Sequence, residues 1–249
     1  MRILGKILYV LFVFTFIFSV GVSIIFFVSS TTISNTERER KNIFYTSYNK
    51  LTTSKQLTFI STMPYFNEDE KDGVEVQDRI TCKIDTENTV PTYNCSMISR
   101  LYNSKKKVIK TSYFPGDGYK YTNRNVTEHG TKEEYSNDKL ISYFSTLAMS
   151  VQTYLALLTY DERTIEAYKV NYYTNVSFSF NSFSLSKDIG VNYIISGSKQ
   201  NIKLCFDNKD AIKKIDYVTN DATLKISYNK TKFSFPSFAL YKEAAVWEH

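Results

Sequence analysis

Three cysteines, two histidines and a scatter of carboxylates are what this 249-residue chain offers for chemistry, and spacing decides how much they can do. Cys82 and Cys95 fall opposite each other in the hairpin register set out below. Cross-strand Cα separations of roughly 4.5–5.5 Å put two thiols within bonding reach. The pair is either a disulfide, which export permits, or two small reduced hydrophobes on a core face. Cys205 alternates away from Ile202, Leu204 and Phe206 and reads as a lone thiol without a role. His129, beside Gly130, and His249 have no partner spacing, so no metal site and no histidine-based catalysis are expected. Glu68, Asp69, Glu70, Glu133 and Glu134 lie in loop-like stretches where water explains them. No glycine loop cradles phosphate and the serines fall mostly at strand positions facing solvent, so neither a nucleophile nor a cofactor is expected. The expectation is a protein that is not an enzyme.

Two polar residues stand apart. Asp78 and Ser99 interrupt the apolar faces of adjacent strands and pair with each other. They mark either a strand end emerging into water or a polar handle inside a hollow.

The elements that position these residues follow from periodicity. Val74, Val76, Ile80, Cys82 and Ile84 alternate on one strand, and Tyr93, Cys95, Met97 and Leu101 on the next. One register matches Ile84 with Tyr93, Cys82 with Cys95, Ile80 with Met97 and Val76 with Leu101. A slip of one residue breaks every pair. Val108 to Phe114 turns through "PGDG" into Tyr119 to Asn123, and "EHGTKEEY" gives a short strand. "NVSFSF" shifts phase at Asn181-Ser182, and "NIKLCF" turns through "DNKD" into "AIKKIDYV", where Ile212 and Ile215 are three apart and require a bulge. "TLKISY" is expected to return through "NKTK" to "FSFPSF", with Tyr228 opposite Phe233 and Ile226 opposite Phe235. Two helices interrupt this pattern. One runs from Glu37 to about Ser54 with Ile43, Phe44, Tyr48 and Leu51 on a stripe. The other, about residues 138–160, carries Leu140, Phe144, Leu147, Val151, Leu155 and Leu158.

Ahead of these lies "ILYVLFVFTFIFSVGVSIIFFV", Ile7 to Val28, with no charge and no proline. As a helix it spans about 33 Å, enough to cross a bilayer. The reading adopted is an uncleaved anchor, with a cleaved export signal (Val28-Ser29-Ser30) as the alternative. Arg2 and Lys6 make the short side positive, so residues 1–6 are a cytosolic stub and the bulk of the chain is extracytoplasmic. The organisation is then a stub at 1–6, an anchor at 7–29, a membrane-proximal helix region at 30–54, a sheet domain at 55–241 and a tail at 242–249.

Net charge is +6, spread without a basic face, so nucleic acid is not an expected partner. The one dense cluster, Lys105-Lys106-Lys107, tips a hairpin, and at an external surface excess lysine favours anionic lipid or wall polymer. Asn94, Asn125, Asn175 and Asn229 each begin an Asn-x-Ser/Thr sequon. With tyrosine at 20 and phenylalanine at 18, the composition suits sheet. The fold class is α+β: about ten antiparallel strands in one large curved sheet, its concave face covered by the two helices and preceded by one N-terminal transmembrane or signal helix.

"DGYKYTN" and "GTK" within Phe114 to Lys132, "LCFDNKDAIKKIDYV" from Leu204 to Val218, and Phe235-Pro236-Ser237 resemble motifs of a known group. This is the LolA/LppX-like superfamily of lipoprotein carriers and lipid-binding lipoproteins, and within it small exported lipoproteins of low-GC Gram-positive bacteria. The likeness runs from about Thr36 to Tyr241. It implies an open antiparallel half-barrel whose helical lids enclose acyl chains, with no catalytic residues. The chain departs from the pattern in lacking a lipidated cysteine after the signal; the anchor would replace it. On this reading Val76, Ile80, Met97, Leu101, Phe144 and Phe178 line an apolar hollow for a lipid or acyl chain, and Asp78 and Ser99 are its polar handle. The alternative is a surface interaction or structural protein with a solid core.

Overall fold

The computed structural model describes residues 37–66, 73–87, 91–124, 130–179, 184–195, 198–207, 209–229 and 234–243. The Ile7–Val28 run, the acidic loop at 67–72, the phase shift at Asn181-Ser182, both histidines and Phe233 lie outside the described residues.

Helix α1 (Glu37–Thr53) is followed by β1 (Gln56–Pro64), β2 (Gly73–Asp85), β3 (Thr92–Asn103), β4 (Val108–Phe114), β5 (Tyr119–Asn123) and β6 (Thr131–Glu134). Then come α2 (Asn137–Ala156), a tight helical turn (Leu157–Thr159) and α3 (Glu162–Ala167). Strands β7 (Asn171–Ser179), β8 (Ser184–Ile195), β9 (Ser198–Phe206), β10 (Ile212–Tyr217), β11 (Ala222–Tyr228) and β12 (Lys242–Glu243) complete the chain. All twelve strands form one sheet in the order β12-β6-β5-β4-β3-β2-β1-β11-β10-β9-β8-β7. Every pairing is antiparallel except β12 with β6. The expected open sheet with helices on one face is what the structure shows.

The sheet consists of two meanders joined where β1 meets β11, with Phe59 opposite Ile226 and Leu57 opposite Tyr228. Strand β7 ends one edge, and β6 lies beside the other. The segment linking β6 to β7 must therefore cross the sheet's full width, and α2 does so over one face. Ser136 caps α2 by accepting from the Asp138 amide (3.2 Å). Leu140, Phe144, Val151 and Leu155 are its buried positions, three or four apart or multiples of that spacing.

The β2–β3 register is the one the sequence dictated: Ile84–Tyr93, Cys82–Cys95, Ile80–Met97, Asp78–Ser99 and Val76–Leu101 are direct partners. Cys82 and Cys95 are joined in a disulfide. The "PGDG" turn places Gly116 at φ +91°, where a Cβ would sit 2.6 Å from the Cys95 carbonyl oxygen. The ladder shifts between Ile212 and Lys214, as the spacing of the two isoleucines required.

Three expectations are corrected. Ile226 does not pair with Phe235, because both flanks of β11 are already taken by β1 and β10. Residues 234–241 instead cross the outer face as a strap. The Phe238 ring lies on Tyr121 (4.0 Å between centroids), Phe235 meets Tyr113, and Tyr241 packs over Gly130. The strap then delivers Lys242 and Glu243 to the β6 edge. On α1 the buried face is Arg40, Ile43, Ser47 and Leu51, while Tyr48 is exposed. Polar partners rotate this helix. The Arg40 guanidinium lies 4.1 Å from the Tyr172 ring, and Ser47 Oγ donates to the Asp210 carbonyl (2.8 Å) and accepts from the Ile212 amide (3.1 Å). Finally, period-two patterning does not resume directly after α2. α3 intervenes, capped by Asp161, whose carboxylate accepts from the Thr164 amide (2.8 Å).

Candidate functional site

The helix-facing side of the sheet is built in transverse rows, because directly paired residues share a face. One row runs Ile226, Phe59, Ile80, Met97, Phe114. Phe144 of α2 presses onto it, its ring 5.2 Å from Phe59 and 6.1 Å from Tyr93. Phe59, Ile80 and Phe144 are buried here, so this half of the concavity is filled.

The next row reads Leu224, Ser61, Asp78, Ser99, Ser112, Thr122, Thr131. Here the sheet side chains become short and polar, and Tyr143 of α2 reaches down to donate its hydroxyl to Asp78 Oδ2 (2.9 Å). Burial, reinforced by the Asp78 charge, holds the Tyr143 phenol well above its ordinary range. The Tyr135 phenol is raised by the same two causes in the same order.

Beyond Ser61 the helix and sheet part. A cavity of about 780 Å³ opens there. Its sheet wall is Ser61, Met63, Pro64, Phe66 and Leu224; its helix wall is Leu147 and Tyr154; the β10–β11 turn, Tyr217 to Ala222, closes one side. The Tyr154 and Tyr217 rings meet edge-on at 5.3 Å. Desolvation raises both phenols, so they stay neutral. Among the described lining residues Asp221 is the sole charge and there is no lysine or arginine, although the chain carries +6 overall.

The residues expected to line a hollow lie elsewhere. Ile80, Met97, Leu101 and Phe144 are buried, Val76 is half-buried beside Met63, and none of them touches the cavity. Phe178 lies on β7 with its side chain outside the described part. Asp78 and Ser99 do lie on the concave face, one and two strands in from Ser61 of the groove wall. The walls of this cavity left a trace in the sequence. Ser61 interrupts the alternation after Leu57 and Phe59, and Ala222 precedes Leu224 and Ile226, so small side chains stand where the core row has large ones.

Two other places in the fold offer less. A second cavity of about 560 Å³ lies at the opposite sheet end, among Lys55, Lys83, Asp85, Glu87, Asn94 and Asn229. Its walls are charged and mixed in sign, which suits water. On the outer face Cys205 is buried between strands carrying Asp188 and Asp216, with Lys203 bound to Asp188 (2.7 Å). Burial first, then Asp188, pushes its thiol up to about 12, so it stays protonated and is no nucleophile. Among the described residues no three metal-ligating side chains come together.

No protein-family model and no curated protein matches the chain. Among solved structures it is similar to the lipoprotein LppX of Mycobacterium tuberculosis, at 8% identity and a TM-score of 0.42, over 80% of this chain and 99% of that one. It is also similar to a β-barrel-like protein of unknown function from Brucella abortus, at 9% identity and TM-score 0.25, covering 70% of this chain and 96% of the other. A Desulfovibrio piger protein matches at 7% identity and TM-score 0.24, over 76% and 92% of the two chains. The fold itself is α+β: one open sheet, antiparallel except for β12 with β6, with helices on one face.

Proposed function

We propose that this chain is a membrane-tethered, extracytoplasmic binding protein that holds a lipid or acyl chain between α2 and the sheet, and that it is not an enzyme. The observation that carries this reading is the 780 Å³ groove walled by Met63, Leu147, Tyr154, Tyr217 and Leu224. Each methylene taken from water there contributes about 0.8 kcal/mol, so a modest groove holds a long chain well. Asp78, beside Ser61, offers an acceptor for a hydroxyl or ammonium on the guest's polar end. The apolar run at Ile7–Val28 supplies the tether.

The test is a titration of the delipidated full chain, in mild detergent, with an anthroyloxy-labelled fatty acid and a fluorescent phospholipid. Saturable uptake is expected. Leu147→Arg lowers affinity at least tenfold, whereas Met149→Arg, at an exposed position on the same helix, leaves it unchanged. No saturable uptake of either probe would sink the reading.

A second reading, an interaction or structural protein with a solid interior, is favoured by one observation: the Phe59–Ile80–Phe144 half of the concavity is completely filled. The same titration separates the two.

A further inference from the structure

The exposed apolar residues of this protein are not scattered. Large hydrophobic side chains stand out of the described surface at nine places, and five of them, Phe66, Val74, Val108, Tyr168 and Val218, lie at one end of the sheet. Strand direction puts them there. Phe66 follows β1, Val74 opens β2, Val108 opens β4, Tyr168 precedes β7 and Val218 follows β10. Phe66 is 92% exposed and Val218 53%, and both flank the mouth of the groove. Isolated exposed hydrophobics need no explanation, but five at one end of a sheet, two of them at the mouth of a groove, do.

Two further features share that end. The β3–β4 turn carries Lys105, Lys106 and Lys107 and is held rigidly, Asn103 Oδ1 accepting from the Lys105 and Lys107 amides (3.0 Å each). Lys106 pairs with Glu75 (2.6 Å), while Lys105 and Lys107 have no carboxylate partner among the described residues. Helix α1 also starts at this end. Its first turns lie against Tyr160 and Tyr172, and its last turns against Asp207 and Asp210 at the other end. The chain ahead of Glu37 therefore joins the domain at the apolar rim. Eight residues, Ser29 to Thr36, separate α1 from the apolar run, a reach of at most about 29 Å.

We propose that this end of the sheet rests on the lipid bilayer. Phe66, Val108 and Val218 enter the boundary between headgroups and acyl chains, Lys105 and Lys107 reach headgroup phosphates, and the groove mouth faces the membrane. A guest then passes between bilayer and groove without crossing water. The proposal rests on the reading of Ile7–Val28 as a tether.

The full chain is reconstituted into phosphatidylcholine vesicles containing phosphatidylglycerol. An environment-sensitive dye is placed on Phe66→Cys, Val108→Cys or Val218→Cys, and on Lys209→Cys at the opposite end. All four sites are exposed, so the fold tolerates them. The native thiols do not compete, since Cys82 and Cys95 are bonded and Cys205 is buried. Lipids carrying a nitroxide near the headgroup are expected to quench the three rim dyes at least twofold more than the dye at 209. Equal quenching at both ends, in chains that float with the vesicles, would overturn the docking and leave the groove reading standing. Chains that fail to float would overturn the tether and the docking with it.

Discussion

The concave face has two halves that differ in what lies opposite the same helix. Under the Phe144 turn of α2 the sheet presents Phe59, Ile80 and Met97, and the space is closed. One turn further, under Leu147, it presents Ser61 and Met63, and the space is open. The helix stripe does not change character between the two; the sheet does. A row of short polar side chains is enough to turn packed core into a groove, because interiors tolerate few voids and an unfilled row opens to solvent. On the proposed function, stability and binding fall to neighbouring turns of one helix.

That assignment can be broken most forcefully at Phe144. Phe144→Ala is expected to cost about 3–5 kcal/mol in urea unfolding, since its site cannot collapse between Phe59 and Tyr93. A loss below about 1 kcal/mol would show the inner half is not packed. Removing the disulfide with the double change Cys82→Ala and Cys95→Ala is expected to cost about 2–3 kcal/mol, the value for so short a loop. Because that bond belongs to the filled half, probe uptake should survive it.

Tyr143→Phe tests the border between the halves. It deprives a half-buried carboxylate of its donor and should cost about 1–2 kcal/mol at pH 7. The pH dependence follows from the raised phenol. Its stabilising contribution is fully present below the ordinary value of 10.0 and is lost as pH rises above it towards the folded value. The gap between wild type and variant should therefore narrow above pH 10, and a gap constant with pH would remove Tyr143 from this role. The smallest stability effect is expected at Leu147→Ala, within about 1 kcal/mol, because the side chain already borders open space. Its effect on probe affinity should be the larger of the two, and the reverse ranking would erase the contrast with Phe144.

Much of this was legible in the residues. The β2–β3 register was fixed because four apolar or cysteine pairs agree on it and no slip preserves them. The bulge at Ile212–Lys214 showed itself as a spacing of three in a period of two. The strap was not legible: Phe233 and Phe235 alternate like a strand, and alternation gives a face but not a partner. Nothing in residues 222–237 says that β11 pairs with β1, some 165 positions earlier. The groove was missed for a related reason. Val76, Ile80, Met97, Leu101 and Phe144 have the same apolar signature whether they line a space or fill it. A cavity is defined by atoms that are missing, and its trace here was only Ser61 and Ala222.

The groove itself is tested most directly by photo-crosslinking. A diazirine-bearing fatty acid is irradiated with the delipidated full chain and the adducts are mapped by peptide mass. Adducts are expected on the peptides that carry Leu147 to Tyr154 and Tyr217 to Leu224. Adducts confined to the outer-face strap around Phe238, or none at all, would contradict the account.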